Sequence, residues 1–450
     1  MQPLAKNSFN PAAGLDSASA DINKIMRLSY GTEIDYQRLA YEAGEIWKSW
    51  NKQIELGTNN LPAGLEKEDK LWYSTGMLRM SATEDYGEFE LRTLENMQKE
   101  GLREMQYMCD NPEDILRARS RGWGQKLDPL DKKKRLGYNT AVLDSTAGFV
   151  AADKACHWVW HLCQRAGVHF VQDPTRGKVT QIVDDGDKVI GIKTADGLEH
   201  HSDMVIVACG GWTPTLIPEV RSLLETTAGS VATIHIDEVT MPHLWQKYAP
   251  ENMPVLTWGM KEGKGVYMLP RTKEGVIKFG YRATKWTNYD TVGDGQRISV
   301  PKTAHVTDKK ESNIPKKSLN SIKEFISINT PDLLPLEFSA TKLCWYTDSI
   351  DNSFVIDHVP NKPGMFVCSG GSGHGFKFLP ILGREIVPIL EGRGQDTVYG
   401  KMWRWREDKA LTLGNKRNGL QEGEGGPRVL AKQDMASPRD WRVNSEASRL

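Results

Sequence analysis

A glycine-rich turn set between an apolar strand and a helix is the feature that most constrains the fold. The run Ser369–Phe378 reads SGGSGHGFKF, follows the apolar segment Met365–Cys368 and precedes an apolar helical pattern from about Leu379. Such a turn lets backbone N–H groups approach an anion or a polar ring. His374 and Lys377 add charge and hydrogen-bond donors. The pattern predicts a strand–turn–helix unit of an α/β domain.

Length and charge bound the remaining possibilities. The 450 residues are enough for two domains with large cores, and the formal net charge is zero. That balance favours neither nucleic acid nor a membrane surface, and no apolar run reaches the ~18–20 residues of a membrane helix. Six cysteines occur without a Cys-x-x-Cys spacing, which indicates a reducing compartment without a disulfide framework or zinc site. We identify no metal, Ser-His-Asp or Walker arrangement.

Periodicity and turn signals predict the elements along the chain. Residues 35–50 and 153–167 fit helices, 85–135 look helical with a new helix starting at Asn111–Pro112, and 70–81 and 168–171 read as strands. Asp-Gly turns separate three strands within 178–207, and residues 229–345 are rich in short strands. We interpret 343–357 as one further strand. Together these elements predict an α/β nucleotide-binding domain interleaved with a mostly antiparallel domain.

A thiol upstream of the glycine-rich turn carries a resemblance to a known family. The motif Cys344–Thr347 (CWYT), followed by the Ser372–Phe378 run, resembles the monomeric sarcosine oxidase family, which includes sarcosine, pipecolate, saccharopine and fructosyl-amino-acid oxidases. The resemblance implies a Rossmann-like FAD-binding domain, incomplete at its N-terminus, interleaved with an antiparallel-sheet α+β substrate domain. It assigns 1–58, 140–215 and 345–400 to the FAD domain, 59–139 and 216–344 to the substrate domain, and 401–450 to a C-terminal extension.

The same resemblance implies how FAD is held. Cys344 falls on the cysteine that binds FAD covalently, although a free cysteine is more often a small buried hydrophobe. His374 could carry a proton, but the resemblance favours a cofactor contact. The complete set of implied cofactor contacts is Cys344, Lys24, Val179, Gly210, Gly211, Gly371, Gly373, His374, Gly375 and Phe376.

Three basic residues are implied in catalysis. Lys278 matches the lysine that assists the reaction with oxygen, where a cation stabilises developing negative charge. Arg27 and Lys377 match the residues that bind the substrate carboxylate, although Arg27 alone could be an exposed charge. No protein base is needed if the neutral amine reacts.

Further residues are implied to contact the substrate. Tyr267 and Tyr346 are predicted to line the pocket, and Arg406 matches a C-terminal arginine of the longer oxidases, although a solvated basic tail is the alternative. Arg282 departs from the family, since sarcosine oxidases have a histidine there and fructosyl-amino-acid oxidases an acid. An arginine suits a second carboxylate, so we expect a small anionic amino acid as substrate.

One expected motif is not found in the sequence. Dinucleotide-binding domains open with a strand, G-x-G-x-x-G and a helix, and the chain has no G-x-G-x-x-G. Two explanations remain, a truncated start or loss of FAD binding, and the otherwise intact flavin motifs favour truncation. We expect the missing strand to leave a sheet neighbour unpaired.

The implied reaction is oxidation of the C–N bond of a secondary amino acid by FAD, with O₂ reduced to H₂O₂. Saccharopine, pipecolate and a sarcosine-like N-alkyl amino acid are expected as substrates, in that order. Two alternatives are a non-catalytic relic without FAD and a flavin dehydrogenase that uses another electron acceptor. The C-terminal Ser448–Leu450 (SRL) is a variant of the peroxisomal address, so we expect a peroxisomal location, with a cytoplasmic one as the alternative. We also expect a monomer that binds neither nucleic acid nor membrane.

Overall fold

The computed structural model describes residues 18–58, 60–302, 313–408 and 422–444. The helices are α1 (Ile34–Glu55), α2 (Glu88–Lys99), α3 (Pro112–Ser120), α4 (Lys132–Leu136), α5 (Ala152–Arg165), α6 (Thr213–Leu216), α7 (Pro242–Lys247), α8 (Lys316–Asn329), α9 (Leu382–Leu390) and α10 (Val398–Trp403). Among these residues no helix is long and apolar enough to cross a membrane.

The strands along the same residues are short except for three near the centre of the chain. They are β1 (Lys24–Met26), β2 (Trp72–Tyr73), β3 (Met77–Met80), β4 (Gln106–Met108), β5 (Ala141–Asp144), β6 (Gly148–Val150), β7 (Val179–Asp184), β8 (Val189–Thr194), β9 (Glu199–His201), β10 (Val205–Val207), β11 (Leu224–His235), β12 (Val255–Trp258), β13 (Val266–Leu269), β14 (Val276–Trp286), β15 (Tyr289–Thr291), β16 (Arg297–Ser299), β17 (Ala340–Ser349), β18 (Val355–His358) and β19 (Met365–Ser369).

The largest sheet has eight strands in the order β17-β11-β14-β13-β12-β3-β5-β4. Its pairs are antiparallel except for β12 with β3, which are parallel. The sheet includes β5 and the end of β17, which lie beyond the sequence boundaries drawn for the substrate domain. An antiparallel sheet with one covered face can present polar groups on its other face.

Helix α8 covers one face of this sheet. The rings of Phe279 on β14 and Phe325 on α8 are 6.1 Å apart, and the Ser230 hydroxyl on β11 donates to the Ser318 hydroxyl at 2.9 Å. Ile277 and Phe279 are fully buried in this core. Burying an apolar side chain of this size contributes about 1.5–3 kcal/mol, so the core fixes which face of β14 points away from α8.

A second layer holds the glycine-rich turn. Strand β19 pairs in parallel with β10 and antiparallel with β18, and the turn follows β19. Strands β1, β6 and β2 form another sheet beside it. Among the described residues β10 pairs only with β19, and the Ile206 side chain is half exposed.

Several predicted elements are confirmed by the structure. The helices predicted at 35–50 and 153–167 are α1 and α5, and the strands predicted across 178–207 are β7, β8 and β10. Asn111 caps α3, because its side-chain oxygen accepts from the Asp114 N–H and Pro112 opens the helix.

Three predicted elements are wrong. Residues 168–171 form no strand, and Val168, Phe170 and Val171 are about half exposed; apolar alternation cannot make a strand without a neighbour to pair with. The stretch 85–135 contains the strand β4. The predicted strand at 343–357 is two strands, β17 and β18, which belong to different sheets because the chain turns at Asn352 with a positive φ of 65°.

A buried ion pair fixes the chain after α10. Arg406 is 1% exposed and donates to both carboxylate oxygens of Asp351 at 2.9 and 2.7 Å. Its remaining N–H groups donate to the carbonyls of Phe354, Ser353 and Arg404. Every part of this guanidinium therefore has a protein acceptor, which favours a structural role over the substrate contact predicted from sequence.

We predict that Arg406→Ala lowers the free energy of unfolding by about 3–5 kcal/mol, because the buried Asp351 carboxylate would lose both of its hydrogen bonds to the guanidinium. Thermal unfolding of the purified chain measures the effect. Arg442→Ala is the matched control, since Arg442 pairs with Glu337 at the surface and exposed pairs contribute at most about 1 kcal/mol. Equal losses in the two variants would contradict the structural role.

Candidate functional site at the meeting of the two layers

One face of strands β14, β11 and β17 forms the floor of the candidate site. Side chains alternate across a strand, so Lys278, Gly280 and Arg282 of β14 share the face opposite to Ile277 and Phe279. Lys278 and Arg282 are four residues apart, which separates them by about 13 Å along the strand. The floor therefore has two ends, one at Lys278 and one at Arg282.

Strand β17 contributes three residues to the same floor, namely Lys342, Cys344 and Tyr346. The Tyr346 ring lies beneath the Arg282 guanidinium, with 5.6 Å from Cζ to the ring centroid. Cys344 is opposite Gly229 of β11 in the strand register. Cys344 is linked to the Lys278 end of the floor through Lys24, whose Nζ lies 3.6 Å from the thiol and donates to the same Asp21 oxygen as Lys278, whereas Tyr346 lies at the Arg282 end.

Two glycines allow the aromatic rings to lie on the floor. A Cβ at Gly280 would be only 2.0 Å from Cζ of Tyr267, its cross-strand partner on β13. A Cβ at Gly229 would be 3.4 Å from the Tyr346 hydroxyl. A side chain at Gly280 would push the Tyr267 ring away, so this predicted pocket tyrosine depends on a glycine that the sequence analysis did not single out, whereas a Cβ at Gly229 would make an ordinary contact with Tyr346.

A buried carboxylate joins two lysines at one end of the floor. Asp21 Oδ2 accepts from Lys278 Nζ at 2.6 Å and from Lys24 Nζ at 2.5 Å. Lys278 also donates to the Asn23 carbonyl at 2.7 Å and is only 1% exposed. We call Asp21, Lys24, Lys278, Lys342 and Cys344 the lysine pocket.

Lys24 connects the carboxylate to the predicted flavin-linking thiol. Its Nζ lies 3.6 Å from Cys344 Sγ, while Lys342 donates to the Ala20 carbonyl. Burial opposes the charge of Lys24, but the nearby Asp21 carboxylate raises the pKa of Lys24 above its usual value. The Lys24 ammonium thus places a fixed positive charge beside the buried Cys344 thiol.

The pKa values of the other two charges in the pocket follow from burial and their neighbours. Burial opposes ionisation of Asp21, but Lys24, Lys278 and Lys342 outweigh it and hold the pKa of Asp21 well below its usual value. Burial lowers the pKa of Lys278 to about 8, with Lys24 opposing and Asp21 favouring its charge. Lys278 is therefore mostly protonated at neutral pH and loses its charge in mildly alkaline solution.

At the other end of the floor lie three cations, two of which contact Tyr30. The Arg27 guanidinium lies 4.4 Å from the centroid of the Tyr30 ring, and Lys377 Nζ donates to the Tyr30 hydroxyl at 2.7 Å. Arg282 donates to the Gly373 carbonyl at 3.2 Å. We call Arg27, Arg282 and Lys377 the cation cluster. Across the described ranges, none of the three has a carboxylate within 4 Å, unlike the paired arginines elsewhere.

The absence of an acidic partner within 4 Å has an electrostatic cost. Burial, followed by the charges of Arg27 and Arg282, holds the pKa of Lys377 well below its usual value. Placing an anion between these groups would offset that repulsion, because an opposite charge within about 4–6 Å favours the charged form of a lysine. The arrangement therefore favours binding of a small anion.

The Arg282 guanidinium lies against the backbone of Gly373, where a side chain would displace it. Its φ is +70°, and a Cβ there would lie 2.2 Å from Arg282 Nη2. Both the backbone conformation and the space require glycine. The glycine-rich turn thus contributes to the cation cluster as well as to the predicted cofactor contacts.

His374 is held by hydrogen bonds from both ring nitrogens. Nε2 lies 2.9 Å from the Asn352 carbonyl, which can only accept, and Nδ1 lies 3.3 Å from the Tyr30 hydroxyl. Burial and the charge of Lys377 lower the pKa of His374 to about 3. The ring is therefore neutral with its proton on Nε2, which favours the predicted contact role over that of a proton carrier.

The segment that carries Arg27 and Tyr30 rests on a buried polar network. The Ser29 hydroxyl donates to Asp144 at 2.7 Å, and Arg79 donates to Ser29 at 3.2 Å. The Tyr30 N–H donates to the Gln37 side chain of α1 at 3.0 Å. These contacts fix the segment between the large sheet and α1.

The remaining predicted cofactor residues occupy turns around the floor. Gly210 and Gly211 follow β10, Val179 begins β7 and is half buried, and Gly371, Gly375 and Phe376 lie in the turn after β19. A Cβ on Gly371 or Gly210 would meet nothing within 4 Å. The structure does not bring Arg406 to the cation cluster through any hydrogen bond.

The residues at the floor fit the flavin end of FAD. The Asn23 side chain is 1% exposed, yet neither its oxygen nor its nitrogen has a partner within the described residues. A buried amide left unpaired costs about 1–3 kcal/mol, so a polar ligand is expected beside it. With Cys344, Lys24 and the open glycines, this orphaned amide suits a polar ring system.

Sequence reasoning missed Asp21, Asn23 and Tyr30. All three lie within or beside the Asn23–Gly31 segment whose resemblance was recognised for its basic residues. A carboxylate three residues before Lys24 was a usable signal, since an Asp at that spacing can pair with a lysine. The roles of Asn23 and Tyr30 depend on contacts with distant strands and left no local signal.

The sequence of this chain is similar to those of known flavin-dependent oxidoreductases. A family described as FAD dependent oxidoreductase matches residues 10–388. L-Saccharopine oxidase of Schizosaccharomyces pombe is 26% identical over 90% of this chain and 89% of its own length. Human peroxisomal sarcosine oxidase is 23% identical over 82% of this chain and 80% of its own.

Solved structures show the same fold. Fructosyl peptide oxidase from E. terrenum superposes with a TM-score of 0.73 at 23% identity, covering 93% of this chain and 88% of that one. Fructosamine oxidase (Amadoriase II) from Aspergillus fumigatus superposes with a TM-score of 0.73 at 21% identity, covering 97% and 90%. These structures confirm the predicted α/β fold with its interleaved sheet domain.

We predict that the His374 ring stays neutral, with its proton on Nε2, from pH 5 to 9. The lower limit of this range is already about two pH units above the lowered pKa of His374. Nitrogen-15 spectra of histidine-labelled protein measure both the tautomer and the charge, and His374→Gln assigns the signal. A ring that titrates near the usual histidine pKa of 6.5 would contradict the buried hydrogen-bonded arrangement.

The lowered pKa of His374 makes the stability of the fold depend on pH. The folded-state pKa of His374 lies below the unfolded value of 6.5, so its stabilising contribution is present above pH 6.5 and is lost as the pH falls towards 3. The free energy of unfolding of His374→Gln should therefore fall less steeply than that of the unsubstituted chain across this window.

Proposed function

The chain belongs to the FAD dependent oxidoreductase family, and we propose that it is an oxidase of anionic secondary amino acids with FAD attached to Cys344. One observation carries the proposal. The floor has a buried thiol beside an ammonium at one end and, at the other, a cluster of three cations with no carboxylate within 4 Å in the part of the chain that the structure describes.

The proposed reaction converts the amino acid and O₂ into an imine and H₂O₂. The C–N bond of the substrate loses two electrons and two protons, O₂ gains them, and water then hydrolyses the imine. FAD, when bound, supplies the two-electron chemistry. The residues of the chain bind the substrate, orient it and place charge around the reacting atoms.

Arg27 and Lys377 are proposed to bind the carboxylate next to the reacting C–N bond. Their charged groups meet at Tyr30, which contacts both. Two cations on one carboxylate orient the substrate as well as hold it. A bound substrate carboxylate would also favour the charged form of Lys377. We therefore expect substrate binding to be coupled to proton uptake by Lys377.

Arg282 is proposed to bind a second carboxylate. It lies over Tyr346 and is held by the Gly373 carbonyl, so its guanidinium is part of the same cluster but approaches from the sheet. A site for a second carboxylate favours saccharopine over pipecolate and a sarcosine-like N-alkyl amino acid, which have one carboxylate each. The similarity to an L-saccharopine oxidase supports saccharopine as the first candidate.

Lys278 is proposed to provide the positive charge for the reaction with O₂. Its ammonium is buried on the floor in the pocket that also holds the Cys344 thiol. A fixed cation in a water-poor site stabilises developing negative charge more than a solvated one does. This role favours an oxidase over a dehydrogenase that passes electrons to another acceptor.

We further propose a peroxisomal location and a monomeric state. The location rests on the C-terminal Ser448–Leu450, which lies outside the described residues. A peroxisome suits an enzyme that releases H₂O₂.

We predict that the purified chain is yellow and that its flavin remains in the pellet after acid precipitation, because a thioether to Cys344 survives denaturation. Cys344→Ser should release the flavin into the supernatant. Cys368→Ser is the matched control, since Cys368 lies on β19 outside the floor, and its pellet should stay yellow.

Other outcomes distinguish the alternatives. Colourless protein would support the relic that binds no FAD. Yellow protein that reduces a dye quickly but consumes O₂ slowly would support the dehydrogenase. Flavin that leaves both cysteine variants and the unsubstituted chain alike would refute the covalent link but not the oxidase.

We predict that Arg282→Met lowers kcat/KM for saccharopine by about tenfold to 100-fold, because a hydrogen bond to a charged group contributes about 1.5–3 kcal/mol. The effect on pipecolate, which has one carboxylate, should be small. Lys377→Met should lower kcat/KM for both substrates. Oxygen consumption with each substrate measures the ratio.

Arg384→Met is the control for loss of a positive charge, since Arg384 lies on the surface of α9 with Glu42 and Glu385 as partners. It should leave both substrates unaffected. An equal loss with saccharopine and pipecolate in Arg282→Met would show that Arg282 does not bind a second carboxylate.

A further inference from the structure

Asp21 occupies the centre of the lysine pocket without a part in the mechanism described so far. Its Oδ2 atom accepts from Lys24 at 2.5 Å and from Lys278 at 2.6 Å. The two lysines come from β1 and β14, which belong to different sheets. One carboxylate oxygen thus joins the two layers of the molecule at the candidate site.

The carboxylate is itself held in place. Asp21 Oδ1 accepts from the Ile22 N–H at 2.9 Å, and the Asp21 carbonyl accepts from the Asp153 N–H at 3.0 Å. The Ile22 carbonyl accepts from the Ala152 N–H at 3.2 Å. Both of these backbone contacts lie at the start of α5, so Asp21 is fixed to a helix rather than to a mobile chain.

The geometry of Lys278 leaves one donor for the site. A lysine ammonium has three N–H donors. Among the described residues, two of those of Lys278 donate to Asp21 and to the Asn23 carbonyl. Two acceptors on the same short segment determine the direction of the ammonium. The third donor is left for a ligand.

The charged and titratable groups around Lys278 come from three parts of the chain, while β11 places Thr233 opposite Lys278. Lys24 and Asp21 come from the first segment, Lys342 and Cys344 from β17, and Tyr267 from β13. Two ammonium groups contact one carboxylate here, and that of Lys342 lies close enough to favour its charge. Removing that carboxylate would leave like charges facing one another in a buried space.

We propose that Asp21 is a positioning residue, whose one carboxylate oxygen holds Lys278 on the floor and Lys24 beside the Cys344 thiol. A single side chain then sets the place and the charge of the two ammonium groups on which flavin attachment and the oxygen reaction depend. The part of this inference that concerns O₂ rests on the proposed function, whereas the coupling between Asp21 and Lys278 is independent of it.

The test measures the charge of Lys278 directly. The full chain is labelled with carbon-13 at the lysine ε position, and the Lys278 signal, assigned with Lys278→Arg, is followed by NMR as the pH rises. We expect a midpoint near the pKa of about 8. In Asp21→Asn the midpoint should fall by about one pH unit or more, because loss of an adjacent opposite charge shifts a pKa by about 1–3 units.

A second variant keeps the proposal open to refutation if Asp21→Asn does not fold. Lys24→Met removes the competing ammonium, so that Lys278 becomes the one lysine that donates to Asp21 Oδ2. The titration midpoint of Lys278 should therefore rise. Asp21→Glu should restore a midpoint close to that of the unsubstituted chain. Glu324→Gln is the control, since Glu324 pairs with Lys264 at the surface, and should change nothing at Lys278.

The oxygen reaction supplies the second readout. In Asp21→Asn, reoxidation of the reduced enzyme by O₂ should fall about tenfold at pH 8, and its pH profile should move down with the Lys278 midpoint. A merely structural Asp21 would lower the melting temperature without moving either midpoint, which would overturn the proposal. A shifted NMR midpoint without any reaction with O₂ would instead refute the proposed function and leave the positioning role intact.

Discussion

The alternation of side chains along β14 is the constraint on which the site depends. Ile277 and Phe279 are buried against α8 on one face, and Lys278 and Arg282 therefore point to the other. A slip of one residue in the register would exchange the two sets and place a lysine in an apolar core. Hydrophobic burial far from the reacting atoms thus decides which residues form the floor.

Electrostatics then distinguishes the two ends of that floor. At one end Asp21 offsets part of the lysine charge inside the protein, whereas the cation cluster at the other end has no carboxylate within 4 Å among the described residues. Unpaired buried charge is costly, and the chain carries this cost where an anion can relieve it. The contrast makes the Arg282 end suited to binding a small anion and the Lys278 end a place of fixed positive charge.

Local patterns were sufficient for elements whose signals are local. Helix α1 follows from its periodic apolar residues, and the Asp-Gly turns located β7 and β8. Pairing between distant segments was not readable, because nothing near residues 168–171 reveals whether a neighbouring strand exists. The strand β4 was likewise hidden inside a helical pattern, since its partner β5 lies more than thirty residues further on.

The site shows the same division between local and distant information. Cys344, Lys278, Arg27 and Lys377 could be named because they lie in short motifs that resemble a family, and the structure brings them to one floor or to the turn beside it. Asp21 and Tyr30 could not be assigned roles in this way. Their importance comes from contacts across more than two hundred residues of chain.

The segment from Asp21 to Tyr30 connects both ends of the floor. Lys24 reaches the Cys344 thiol, and Arg27 and Tyr30 reach the cation cluster, while β1 between them pairs with β6. Because these side chains share one short stretch of backbone, a displacement of that stretch would move the thiol-side ammonium and the anion-binding cations together. The contacts of Ser29 with Asp144 and of Asp21 with the start of α5 oppose such a displacement. The distance between the two ends is therefore set by the large sheet below and by this one segment above.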